Sequence, residues 1–182
     1  IWAKIYRYRD KRRLPETRTE STHSESTILM HPDIRHQLDS FSTPLLISAS
    51  KYLYAEIKPQ PKQSTSFGRG HSYTPKKKRL YLEDLSAKLS QTFDGVPMEG
   101  KLRVAVVYSF PWRKTDKDRE AWALMDRRPD IDNLFKPLAD CLEAIGVFGD
   151  DAQIVEVTIR KIRHDIPAIS VKISSVNSPS SK

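Results

Sequence analysis

Residues 127–161, RRPDIDNLFKPLADCLEAIGVFGDDAQIVEVTIRK, constrain the fold more than any other stretch. Ile131, Leu134, Leu138, Leu142 and Ile145 recur at helical spacing, which predicts an amphipathic helix with one face on a core. Asp132 is read as its N-cap, because its carboxylate can accept an orphan backbone N–H of the first turn. Pro137 suits a helix only near the start, since it lacks the N–H that a helix interior uses. Gly146 is the expected stop. VFGDDAQ then turns the chain, and Val155, Val157 and Ile159 alternate as a strand does.

A helix and strand packed together would return Asp150 and Asp151 toward Asp130 and Asp132, with Lys136 one turn into the helix. Gathering like charges costs free energy unless a cation neutralises them. Converging carboxylates are what a hard, oxygen-seeking ion such as Mg²⁺ takes. Few protein ligands leave waters on such an ion, and one of those can attack a phosphodiester. Taken singly, D-x-D before a helix is more readily a cap, and G-D-D an ordinary turn. The two together around one helix, with a lysine inside it, favour the metal reading.

These residues resemble a known family. RPDIDNLFKPLADCLEAIGVFGDDAQIVEV is similar to the signature of the RusA family of Holliday-junction resolvases of bacteria and their phages: D-x-D-N-x-x-K, a helix, then D-D-x-Q-[IV]. The matching positions are Asp130, Asp132, Asn133, Lys136, Asp150, Asp151 and Gln153. The likeness is close over residues 128–157 and looser over 50–175. It implies a small homodimeric endonuclease, dependent on Mg²⁺ with Mn²⁺ able to substitute, that cuts four-way DNA junctions and uses no small-molecule cofactor. It also implies that Asp130, Asp132 and Asp151 bind the metal and that Lys136 joins them as the catalytic set. Asp150 is then an auxiliary carboxylate. Asn133 holds a carboxylate or the turn in place, and Lys136 stabilises charge on the phosphate or orients the attacking water.

A net charge of +8 fits a polyanionic partner. The single Cys141 excludes an internal disulfide and reads as a small buried residue of the helix. Five scattered histidines give no zinc spacing. No apolar run is long enough to span a membrane, and no uninterrupted apolar leader opens the chain. The expectation is a cytoplasmic protein of bacterial or phage origin.

Residues 1–48 read as a polar and basic N-terminal extension, either a partly disordered solvated segment or a DNA-contacting arm, with Met30 a candidate internal start. An endonuclease domain is expected over 49–175 and a tail over 176–182. KYLYAEIK, residues 51–58, alternates as a first strand with Leu53, Ala55 and Ile57 inward. A loop follows that contains Arg69, and G-R-G-x-x-Y-T-P-K-K there is a weaker point of resemblance. Thr74 and Pro75 should open a helix reaching about Phe93, with Leu82, Leu85, Leu89 and Phe93 buried. Its first turn, Lys76, Lys77, Lys78 and Arg79, opposes the helix dipole and is either a phosphate contact or a solvated face. KLRVAVVYSF, residues 101–110, is the clearest strand, and Ala105 and Val107 suggest that its second face is partly covered too.

The connection 111–129 is long and charged, with a short helix expected over 117–125. Arg113, Lys114, Arg127 and Arg128 are candidate phosphate contacts. Trp112 and Trp122 either stack on bases exposed at a branch or pack on the core. An edge-like strand at 167–174 closes the domain. The expected fold is α/β (α+β): about four strands in a mixed, largely antiparallel sheet, with two main helices on one face. The expected function is a structure-selective, junction-resolving endodeoxyribonuclease serving DNA recombination and repair. Its alternative is a branched-DNA binder of the same fold that does not cut. An enzyme acting on a nucleotide-type small substrate is disfavoured because no glycine-rich phosphate loop is present.

Overall fold

The computed structural model describes residues 30, 32–40, 47–62, 66–68, 71–73, 76–116, 119–120 and 122–176. Among the described residues, three α-helices, α1 (Pro32–Asp39), α2 (Lys76–Ser90) and α3 (Ile131–Ala144), accompany six strands. The strands are β1 (Ile47–Ala55), β2 (Ser66–Gly68), β3 (His71–Tyr73), β4 (Leu102–Phe110), β5 (Ile154–Arg163) and β6 (Ala168–Val176). Four of them form a mixed sheet in the order β1-β6-β4-β5, and β2 and β3 form a small hairpin. β6 is antiparallel to both β1 and β4, whereas β4 and β5 are parallel. Parallel neighbours cannot be joined by a tight turn, so the chain crosses over between them, and α3 is that crossover.

Alternation along β4 sorts its side chains onto two faces. Leu102, Val104, Val106, Tyr108 and Phe110 join the main core with Leu85 and Leu89 of α2 and Leu134, Leu138 and Leu142 of α3. Ala105 and Val107 point the other way, into a second cluster with Met30, Ile34, Leu38 and Ile162. The second face expected to be partly covered is therefore closed by α1, which lies within the segment expected to be a polar extension. All nine residues of β4 are buried.

Three local expectations are corrected. β6 is an interior strand rather than an edge. Its serines and Lys172 looked solvent-facing, but α1 covers that face and leaves Ser170, Ser174 and Lys172 buried. Where a helix was expected over 117–125, the described residues form none. Instead Leu124 bridges Ile162, Met125 N–H donates to Lys161 O (2.9 Å) and Arg163 N–H to Ala123 O (2.8 Å). The open edge of β5 offers unpaired backbone groups, and the segment pairs with them. β1 ends at Ala55 rather than continuing to residue 58, though Ile57 still packs on the main core. Thr74 and Pro75 lie outside the described residues. No helix among the described residues is long and apolar enough to cross a membrane.

α1 is fastened by charge as well as by packing. Asp39 accepts hydrogen bonds from Lys172 Nζ (2.6 Å) and Tyr52 Oη (2.5 Å), and the Arg35 guanidinium lies 4.7 Å from the Tyr52 ring centroid. Partial burial alone would raise the Asp39 carboxyl, but the bonds from Lys172 and Tyr52 outweigh it and hold it below the ordinary value.

Two outcomes are expected. Leu38, fully buried, replaced by Ala should cost about 2–5 kcal/mol in urea denaturation; a loss under about 0.5 kcal/mol would show that α1 does not close the second face. A depressed carboxyl contributes stability above its unfolded pKa, about 3.9, which is lost as pH falls through the lower folded value. Asp39→Asn should therefore flatten the acid limb of stability below about pH 4, read from urea midpoints over a pH series, and leave its shape at neutral pH unchanged.

Candidate active site

The D-x-D loop enters α3 two residues earlier than expected. Asp130, not Asp132, is the N-cap residue, in extended conformation (φ −74°, ψ 151°), and its carboxylate makes no capping bond. Asp132 falls in the first turn, where a negative charge is favourable next to the helix N-terminus. Both aspartates are exposed. Ile131, expected inward, is 44% exposed, and the buried stripe starts at Leu134.

Pro137 lies within α3 and cannot supply the N–H that would bond the carbonyl of Asn133. That carbonyl is taken by the backbone N–H of Lys62 at 2.6 Å, from the segment that follows β1. At the next residue, Tyr108 Oη donates to Leu134 O (2.9 Å) from the middle of the sheet, and burial holds this phenol protonated, well above its ordinary pKa. Lys161 of β5 donates to the carbonyls of Arg127 and Pro129, both at 2.8 Å, and so holds the loop that carries Asp130.

α3 ends as Gly146 requires. Gly146 has φ +78°, its N–H donates to Glu143 O (2.9 Å), and Val147 N–H donates to Leu142 O (3.0 Å). This is the left-handed termination glycine permits, with buried Val147 behind it. The following turn is closed by its own side chains. Asp150 Oδ1 accepts from Ala152 N–H (2.8 Å), and Gln153 Oε1 accepts from the N–H groups of Gly149 (2.9 Å) and Asp150 (3.2 Å). Gln153 Nε2 donates to Gly100 O at 3.1 Å, tying the turn to the entry of β4. Asp150 is thus engaged as a cap.

Lys136 links helix and turn. Its ammonium is 2.9 Å from Asp151 Oδ2 and 3.0 Å from Asp140 Oδ1. The bonds to Asp151 and then Asp140 push its pKa well above the ordinary lysine value, so it stays protonated throughout the neutral range. Asp132, Lys136 and Asp140 are successive i,i+4 positions, hence on one side of α3.

The expected donors are oxygen-only and chemically suited to a hard divalent cation. They are not gathered as one donor group: among the described residues, no three acidic, histidine or cysteine side chains are clustered to hold a metal. Asp151 is neutralised by Lys136 instead.

Asp130 and Asn133 border a cleft of about 850 Å³ together with Trp112, Arg113 and Arg128. Arg127 and Trp112 border a smaller neighbouring hollow. Lys114 is exposed in the adjoining turn. Lys76, Lys77, Lys78 and Arg79 open α2 and do not line the cleft. Arg79 lies 3.5 Å from Glu83. Arg69 is outside the described residues. Trp122 packs against the second core, with its ring 4.9 Å from that of His164. Lys62, Tyr108 and Lys161 escaped sequence reading because each acts on a backbone carbonyl, a partner no motif displays. Only the missing N–H of Pro137 could have signalled one of them.

The family described as endodeoxyribonuclease RusA matches residues 56–174. Over 76 residues the chain is 32% identical to the crossover junction endodeoxyribonuclease rusA of Lactococcus phage r1t, a match covering 42% of this chain and 54% of that protein. The chain thus spans about half the length of the phage relative. Over 126 residues it is 23% identical to the uncharacterized protein YqaN of Bacillus subtilis (strain 168), covering 65% of this chain and 88% of that one.

Gln153 makes the sharpest test of the turn. Gln153→Ala leaves two N–H groups and the Gly100 carbonyl without their side-chain partner, and should cost about 1–3 kcal/mol in urea denaturation. Amide exchange at Gly149 and Asp150 should accelerate; unchanged exchange there would mean the turn is held by something else.

Proposed function

The chain belongs to the endodeoxyribonuclease RusA family, and on that footing we propose that it is a metal-dependent endonuclease resolving four-way DNA junctions. The observation that carries the reading is the fixed unit around α3. It presents two exposed carboxylates, Asp130, which makes no side-chain capping bond and borders a basic cleft, and Asp132, with a protonated lysine one turn beyond.

In this reading Asp130, Asp132 and Asp151 would hold Mg²⁺, with Mn²⁺ an alternative. The ion, when bound, supplies a Lewis acid for the phosphate and a water of lowered pKa. The chain's own residues do the rest. Lys136, charged at neutral pH, sits where it can release Asp151 and neutralise charge that builds on the phosphate. Asp140 keeps the lysine oriented along α3. Asp150 and Gln153 hold the turn that carries Asp151. Asn133 steadies the loop through its backbone bond to Lys62. Arg113, Arg128 and their neighbours bind the DNA backbone, so affinity should fall steeply with salt. Resolution needs paired nicks in opposed strands, and a two-fold homodimer supplies two such sites related by symmetry. Junctions arise inside the cell, which puts the protein in the cytoplasm, encoded by a bacterium or its phage.

One observation favours a second reading, a branched-DNA binder that does not cut: Asp151 is engaged by Lys136 and the carboxylates are not clustered. One experiment separates the two. A labelled synthetic four-way junction and a linear duplex of the same sequence are incubated with Mg²⁺ and with EDTA. Symmetric nicks in the junction alone, only with Mg²⁺, are expected; tight junction binding without cutting would establish the binder. Asp132→Asn should abolish cleavage and preserve junction binding, because it removes a ligand charge without adding repulsion for phosphate. Loss of binding in that variant would give Asp132 a structural role instead.

A further inference from the structure

Resting on the reading that branched DNA is the substrate, we propose that the cleft beside Asp130 is a nucleotide pocket: it receives one unpaired base of the branch point, with the flanking phosphates held by the cleft's cations. Its volume of about 850 Å³ lies within the range of about 300–1,000 Å³ typical of small-ligand sites. Two chemistries line it. Phe110, Pro111, Trp112 and Pro129 offer flat apolar surface, and Gln60 and Asn133 bring side-chain amides able to meet a base edge. Lys58, Lys62, Arg113, Arg128 and Arg163 are cationic, against the single carboxylate of Asp130.

Of these cations Arg163 is committed to the wall, with Nη1 donating to Pro111 O (2.8 Å) and Nε 3.9 Å from Asp116. Among the described residues, the ion pairs include none of Lys58, Lys62, Arg113 and Arg128. A bare anion would have no use for the tryptophan and prolines, and an apolar ligand would be repelled by the cost of desolvating four cations. A base joined to phosphates satisfies both. The pocket is also built before any ligand arrives. Lys62 N–H is fixed to Asn133 O, Tyr81 Oη accepts from Gln60 N–H (3.1 Å), and Met125 N–H is fixed to Lys161 O. Within a linear duplex every base is stacked and paired, so such a pocket can be filled only by extruding a base, at a cost that is least where stacking is interrupted, as at a crossover. Occupancy of the pocket would then select the branch point and set which phosphodiester lies at Asp130.

The test uses four-way junctions carrying 5-iodouracil at single positions, at the crossover or within an arm, and a linear duplex with the same label. Long-wavelength irradiation of the full chain bound to each, without added metal, joins the labelled base to an aromatic side chain it stacks on, and peptide mass spectrometry locates the link. Crosslinks at Trp112 from crossover positions, absent from arm positions and from the duplex, are expected. Trp112→Ala should reduce junction affinity roughly 5–150-fold, the loss of one base–aromatic stack, while Trp112→Phe retains most of it and both variants keep the wild-type urea midpoint of the core. Crosslinks mapping elsewhere, or arising equally from the duplex, with junction preference intact in the same gels, would overturn the pocket and leave the substrate reading standing. Absence of junction preference in the wild-type chain would overturn both.

Discussion

The parallel pairing of β4 with β5 is the constraint on which the rest depends. Two parallel neighbours demand a crossover, and the crossover here is the helix that carries the D-x-D motif at its start and leads to the D-D turn at its end. β4 is buried throughout, so this unit hangs on the least deformable part of the molecule. Cross-braces then remove its remaining freedom. Tyr108 reaches α3 from below, Lys161 grips the entry loop, and Gln153 pins the exit turn to the start of β4. None of these side chains carries the proposed chemistry, yet each positions one that does.

The four motif aspartates, at the two ends of one short unit, would repel one another if nothing answered their charge. Each is answered locally and differently. Asp130 stands exposed at a cleft rich in cations, and Asp132 sits against the positive end of α3. Asp150 caps the exit turn through a backbone N–H, and Asp151 is paired with Lys136. Since protonated Lys136 answers two carboxylates at once, Asp140 and Asp151, it is the residue through which helix and turn sense each other's charge.

Strong internal period made much of this legible in sequence. The nine apolar-rich residues of β4, the stripe of α3 and the Gly146 stop are decided by local chemistry, and the structure follows them. The resemblance placed the family, which the match over residues 56–174 bears out. Other features depend on what lies opposite. α1 contributes only Ile34 and Leu38 amid charged neighbours, too little apolar pattern to announce a packed helix. For the same reason β6 read as an edge: Ser170, Lys172 and Ser174 look solvated until something covers them. The 117–125 segment carries helix-forming residues, but at Ala123, Leu124 and Met125 the open edge of β5 offered the backbone a better partner. Of the candidate site residues, sequence drew Asp130, Trp112, Arg113 and Arg128 to one place in space, while the lysine run of α2 stands apart from it.

Proline in the body of α3 reads as a defect in helix design, since it removes a hydrogen bond and strains the turn before it. The vacancy it creates is the attachment point for another part of the chain: the freed Asn133 carbonyl is what Lys62 binds, and Lys62 belongs to a wall of the cleft. Replacing Pro137 with a better helix former would restore an internal N–H that competes with Lys62 for that carbonyl. The helix would gain regularity, and the wall would lose its tether. Local stability and the shape of the site are therefore set against each other at this one residue, so selection for a tougher protein and selection for a better-formed site would pull position 137 in opposite directions.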